Sequence, residues 1–178
     1  YGGTEGQSAT IVSGVEWLAR EGTVGRPISG EMCIMDAAGH PVAAGVVGEG
    51  YMRADPGRVT YHYRGAEPKT LKDGWESLGD IGWMDEDGFL YLVDRKTDMI
   101  LSGGANIYPA EIEAALELHP AVSSSAVIGL PDEDLGQRVH AIVQADAQSA
   151  ADLLSFLGEH LARYKLPRSV EYVAEPLR

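Results

Sequence analysis

The sequence predicts a mixed chain, α/β or α+β, with a β-rich first half and a small two-layer α+β unit after it. Three observations point there. Residues before about Asp94 are rich in glycine and β-forming side chains, with repeated turn signals. Residues after Asp98 alternate short apolar runs with two stretches of helical periodicity. The change of character falls on the charged run Asp94-Arg95-Lys96-Thr97-Asp98.

Gly30 to Met35 reads as a strand, and Asp36-Ala37-Ala38-Gly39-His40-Pro41 as the turn after it. Val46 to Arg53 reads as a second strand, and Pro56 to Gly65 as a loop or short helix. Ile81 to Met84 and Phe89 to Val93 flank Asp85-Glu86-Asp87-Gly88 as a hairpin. There the Asp-Gly pair supplies residues that tolerate positive φ. Pro109 to Leu118 reads as a helix. Pro suits its first position, acids sit in the opening turn, and Ile112, Ala115 and Leu116 recur at helical spacing. His119-Pro120 ends it. Ser124 to Leu130 is an apolar strand, Pro131 to Gly136 a turn, and Val139 to Gln144 another strand. A second helix covers Ala150 to Arg163, with Leu153, Leu154, Leu157 and Leu161 as its stripe, and Val170 to Val173 closes the set. Two helices and three strands pack as a two-layer unit.

The chain has 178 residues, 44% hydrophobic and 23% charged, which is a globular balance. No apolar run approaches the ~20 residues needed to cross a bilayer. The formal net charge is −13, from 27 acids against 14 bases. Binders of nucleic acid need basic surface, so nucleic acid is excluded as a partner class. A small phosphorylated ligand is compatible, because a few aimed groups hold it within an acidic protein. The single cysteine, Cys33, fits a reducing cytoplasm and reads as a small buried side chain. The chain begins without Met and without a signal-peptide pattern, so it reads as starting inside a longer protein.

Four short segments carry chemistry-bearing residues. In Tyr1-Gly2-Gly3-Thr4-Glu5-Gly6, glycines permit close approach to a phosphate, a hydroxyl can donate to it, and a carboxylate can ligate Mg²⁺. Asp80, before a strand, can accept from two adjacent hydroxyls such as those of a ribose. The residue-level alternative is a plain turn residue. Arg95 suits a phosphate or ribose oxygen, and the alternative is a solvated linker. Ser102-Gly103-Gly104-Ala105-Asn106, before the Pro109 helix, allows close approach of a ligand, or is an ordinary loop needing positive φ. His40, His62, His119, His140 and His160 show no metal-ligand spacing and read as structural. There is no Gly-x-Ser-x-Gly elbow.

Taken together and in order, these segments resemble the adenylate-forming (AMP-binding) superfamily, and among its members the acyl-CoA synthetases. Tyr1-Gly2-Gly3-Thr4-Glu5 is similar to the family's Tyr-Gly-x-Thr-Glu motif, and Gly25-Arg26-Pro27 to the Gly-x-Pro that follows it. Gly74-Trp75-Glu76-Ser77-Leu78-Gly79-Asp80 resembles the aromatic-x-x-Thr-Gly-Asp segment, with Leu78 where Thr is common. Asp94 to Ile100 with Ser102 to Glu113 resembles the most diagnostic motif, and Leu130-Pro131-Asp132 and Tyr164-Lys165-Leu166-Pro167 also fit.

The resemblance implies ATP/AMP, Mg²⁺ and CoA as cofactors and a carboxylic acid as substrate (fatty, aryl or steroid/bile acid). It implies that Tyr1 and Gly2 lie beside the nucleotide and acyl pockets, that Thr4 contacts the phosphate and Glu5 binds Mg²⁺. Asp80 would hold the ribose hydroxyls, and Arg95 the ribose or phosphate. Residues 1–95 would be the β subdomain ending a large N-terminal domain, and residues 96–178 a mobile α+β lid, with Lys96 and Thr97 as the hinge. Thr97 departs from the usual Asp or Lys there. Ser102, Gly103 and Gly104 would line the CoA pantetheine channel. The family's adenylating lysine falls after Arg178, so the 178 residues alone are expected to be inactive. A homodimer is compatible. Two alternatives stay open: an adenylation domain that loads a carrier protein, and a non-catalytic interaction module.

Overall fold

The computed structural model describes residues 1–3, 6–57, 72–146, 152–175 and 177. Thr4, Glu5, His62, most of the Pro56 to Gly65 segment and the expected start of the second helix at Ala150 lie outside them. The chain divides into two compact units, Tyr1–Thr97 and Asp98–Arg178.

In the first unit, the described residues form β1 (Ala9–Ile11), α1 (Gly14–Ala19), β2 (Thr23–Ser29), β3 (Glu31–Met35), β4 (Gly48–Arg53), β5 (Glu76–Met84) and β6 (Leu90–Arg95). The strands make one sheet in the order β1-β2-β6-β5-β4-β3. Every pairing is antiparallel. The strand expected from Val46 begins at Gly48, and Val46 and Val47 are exposed. The expected hairpin is present as β5 and β6. Its Asp-Gly pair does not share the positive φ, however. Only Gly88 takes it, at 80°, and Asp85 braces the loop by accepting from the N–H groups of Asp87 and Phe89. This four-residue connection uses one left-handed position, where a two-residue type I′ turn needs two.

The second unit contains β7 (Ile100–Ser102), β8 (Ala105–Ile107), α2 (Pro109–Glu117), β9 (Ser124–Asp132), β10 (Gly136–Gln144), α3 (Leu153–His160) and β11 (Ser169–Val173). The strand order is β11-β10-β7-β8, with β9 paired to β10 and β11 running parallel to it. Five strands stand where three were expected. The two extra ones come from the glycine segment before Pro109, which folds into a hairpin rather than a loop. Along β10, Val139, Ala141 and Val143 are buried, the period-2 signature of one covered face. They pack with Ile100, Ile107, Ile112, Leu116, Val127, Leu153 and Leu157 in one apolar core.

Helix α2 runs as expected, with Pro109 in its first turn and Ile112, Ala115 and Leu116 buried. Helix α3 is shorter than expected and ends at His160, and Leu154 of the expected stripe is exposed. Lys165 reaches back to α2, its Nζ 2.6 Å from Glu111 Oε1. Burial works to lower the Lys165 pKa, but the hydrogen bond and charge of Glu111 prevail and raise it. Buried His119 accepts the Ala121 N–H on Nδ1 and places Nε2 3.2 Å from Asp152 Oδ1, an arrangement that is structural. No helix among the described residues is long and apolar enough to cross a membrane.

Candidate functional site: a carboxylate held between Tyr1 and Arg95

Asp80 and Arg95 are register partners on β5 and β6, so their side chains project from neighbouring strands on one side of the ladder. Arg95 Nε lies 2.8 Å from Asp80 Oδ1. The Tyr1 hydroxyl donates to the other oxygen, Oδ2. Two donors therefore hold the carboxylate in one orientation. The Asp80 side chain is 9% exposed and that of Arg95 62%. The pair thus has a buried end and an end open to a ligand.

Tyr1 reaches this position because the first residues fold back on β1. Gly2 bridges Ala9, and the Thr10 N–H donates to the Tyr1 carbonyl at 2.7 Å. Gly6 turns the chain at φ 68°. Burial, then the Asp80 hydrogen bond, then the Asp80 charge raise the Tyr1 pKa far above the ordinary phenol value. The hydroxyl is therefore a neutral donor at every physiological pH.

Tyr1, Asp80 and Arg95, with Leu92, Val93 and Asp94, line an open cleft of about 360 Å³. Its lining combines apolar side chains with the Asp80, Asp94 and Arg95 charges, the mix of surfaces that suits a small polar ligand with an apolar part. The structure thus brings together Tyr1, Asp80 and Arg95, three of the sequence-derived residues. Thr4 and Glu5 lie outside the described residues. Among the described residues no cluster of His, Cys, Asp and Glu could hold a metal ion.

Lys96 follows directly on Arg95. Its N–H donates to the Gly79 carbonyl at 2.7 Å, and its Nζ lies 2.7 Å from Glu49 Oε2. Sequence reading missed Glu49. The signal was there, an acid inside a run otherwise read as a strand, but a single acid in a strand usually faces solvent, and this one is buried.

In the second unit, Ser102 pairs with Ala105 across Gly103 and Gly104, whose φ values are 56° and 82°. This is a two-residue hairpin with both central residues left-handed, the geometry for which glycine is preferred. Two bonds fix it from the β9–β10 side. The Gly103 N–H donates to the Leu135 carbonyl at 2.9 Å, and the Leu101 N–H donates to Gln137 Oε1 at 2.9 Å.

Cys33, expected to be buried, is only half-buried. It sits beside Met32 and Ile34 in the wall of a small apolar recess that Tyr1 and Leu90 also line. His140 lies 2.8 Å by Nδ1 from Ser169 Oγ across the parallel β10–β11 pair.

The chain is similar to several known proteins. Residues 111–177 match the AMP-binding enzyme C-terminal domain. The 2-succinylbenzoate–CoA ligase of Geobacillus kaustophilus is 39% identical over 181 residues, a match covering 98% of this chain and 37% of that protein. A long-chain-fatty-acid–CoA ligase of Yersinia pestis is 40% identical over 176 residues, covering 97% of this chain and 31% of the relative. Among solved structures, the o-succinylbenzoate CoA synthetase of Bacillus subtilis, in complex with its acyl-adenylate intermediate, superposes with a TM-score of 0.82. The two are 34% identical, over 94% of this chain and 35% of that one. The same enzyme with ATP and a magnesium ion gives 0.77 at 35% identity, over 92% and 34%. The chain therefore spans about a third of the length of the curated relatives it matches. These likenesses make the chain similar, over nearly its whole length, to part of the acid:CoA ligases of the adenylate-forming (AMP-binding) superfamily, with residues 111–177 matching that superfamily's C-terminal domain.

Proposed function

We propose that this chain works within an ATP-dependent acid:CoA ligase. Carboxylate and ATP give an acyl-adenylate and pyrophosphate, and CoA then gives the thioester and AMP. In the first step a carboxylate oxygen bonds to the α-phosphorus as the bond to pyrophosphate breaks. In the second the CoA sulfur bonds to the acyl carbon and AMP leaves with the electron pair. A carboxylate is a poor electrophile, and the adenylate supplies the leaving group. The protein's share is to position reactants and neutralise phosphate charge.

The observation that carries this reading is the Asp80–Arg95 pair with the Tyr1 hydroxyl on the second Asp80 oxygen. An ionised carboxylate has about four acceptor sites. Two donors leave capacity for the two hydroxyls of a ribose, and the exposed Arg95 side chain can reach a ribose or phosphate oxygen. Thr4 would contact the adenylate phosphate and Glu5 would hold Mg²⁺, which neutralises phosphate charge when bound. Ser102, Gly103 and Gly104, where the two glycines leave the backbone bare of side chains, would border the pantetheine of CoA. Lys96 and Thr97 stand at the division of the two units and would serve as the hinge by which residues 98–178 act as a lid. Relatives named as CoA ligases favour CoA over a carrier-bound pantetheine as acceptor.

The test is pyrophosphate release by the full-length protein given ATP, Mg²⁺ and a panel of fatty, aryl and steroid carboxylates. Release with at least one acid is expected. Silence across all three classes removes the ligase reading.

A further inference from the structure

Asp80 sits where neither of its ladders is regular. Between β5 and β6 the register shifts between Ile81 and Gly82, so the hairpin turn at residues 85–88 does not fix the pairing of Asp80 with Arg95. Between β4 and β5 a second shift leaves Glu49 opposite Ile81 but Tyr51 opposite Ser77, so Leu78, Gly79 and Asp80 bulge out of the ladder. Gly79 takes φ 81° at this point. A bulge re-aims a side chain but leaves its own backbone under-determined, and something else has to hold it.

The Glu49 side chain spans that bulge. It is 7% exposed, and a buried carboxylate is costly unless it is paired and hydrogen-bonded. Its Oε1 accepts from Ser77 Oγ at 2.7 Å. Its Oε2 accepts from Lys96 Nζ at 2.7 Å and from the Tyr51 hydroxyl at 3.2 Å. Ser77 Oγ in turn accepts the Gly79 N–H at 2.9 Å, and the Gly79 carbonyl accepts the Lys96 N–H at 2.7 Å. These bonds close a ring through Glu49, Ser77, Gly79 and Lys96. The ring fixes the residue before Asp80 and the residue after Arg95.

We propose that Glu49 is a positioning residue for the nucleotide site: through Ser77 and Lys96 it sets the separation and orientation of the Asp80–Arg95 pair. An apolar cluster holds two strands together as well as a buried ion pair does. What the ring adds is a defined backbone position at a bulge that the ladders leave open. The inference rests on the reading of Asp80 and Arg95 as nucleotide ligands.

The experiment compares Glu49→Gln, Lys96→Met, the double variant and Lys96→Arg in the full-length protein, with Asp80→Ala alongside. The readout is KM for ATP against KM for the acid. Glu49→Gln and Lys96→Met are expected to raise the ATP KM about tenfold, the scale of a small misplacement, with the acid KM unchanged. The double variant is expected to be no worse than either single one, because the members of one network do not add. Lys96→Arg is expected to recover most of the loss. A wild-type ATP KM in Glu49→Gln, with Asp80→Ala impaired, overturns the positioning role and leaves the nucleotide reading standing. A parallel rise in both KM values in Glu49→Gln, which lies outside the hinge, also overturns it, since that marks general distortion. An unimpaired Asp80→Ala removes the nucleotide reading itself. If Glu49→Gln does not fold, Lys96→Met and Ser77→Ala carry the same readout, because each leaves Glu49 with other donors.

Discussion

Asp80 shows how much one residue depends on what surrounds it. In the sequence it is an acid before a strand, with a turn residue as an equal reading. In the fold its two oxygens are taken by different donors, Tyr1 from the start of the chain and Arg95 from the next strand. Replacing Asp80 with Ala in the full-length protein is expected to weaken ATP use by ~1–3 kcal/mol, the cost of a lost hydrogen bond to a charged group. Steady-state kinetics in ATP checks this, and unchanged KM and kcat would take Asp80 out of the site. Cys33 is a second case. Burial raises its thiol pKa above the ordinary value. Its folded-state pKa therefore lies above its unfolded one, so any stability it contributes is fully present below the ordinary thiol pKa and is lost as pH rises from there through the raised folded-state value. At pH 8 a maleimide should label the folded chain more slowly than the urea-unfolded chain. Equal rates would show the thiol to be fully open.

At the scale of elements, legibility followed the strength of local signals. Helix α2 was readable because proline, acids and apolar spacing agree within a few residues. Helix α1 carries a start signal, Ser13 with Glu16 three residues on, and the structure shows both bonds of that capping box. It was missed because its six residues bury nothing and so show no apolar period. The β7–β8 hairpin was missed for another reason. Its strands have three residues each, too short for a period-2 pattern to register. Its turn makes a direct prediction. Gly104 stands at φ 82° with open space around an added Cβ, so Gly104→Val would meet strain without a clash. The expected loss is ~1–2 kcal/mol, the cost of a left-handed backbone with a side chain. Urea unfolding followed by circular dichroism measures it, and an unchanged midpoint would mean that the hairpin tolerates another turn type.

At the scale of the whole molecule, the chain spans only about a third of its curated relatives. On the proposed reading, catalysis also needs groups from the remaining two thirds of such a protein. The purified 178-residue chain is therefore expected to form no acyl-CoA from ATP, acid and CoA, as read by thioester chromatography. Measurable turnover would show that these residues suffice.

The sequence by itself determined the class of the fold and carried the family resemblance, and it named Tyr1, Asp80 and Arg95 as candidates. Those readings rest on local chemistry: periodicity, turn residues and short motifs. Only the tertiary structure decided that Tyr1, Asp80 and Arg95 share one cleft, and that Glu49 is buried and bound into a ring beside them. Strand order and bulges bring residues tens of positions apart to within hydrogen-bonding distance, and no local pattern encodes which strand lies beside which.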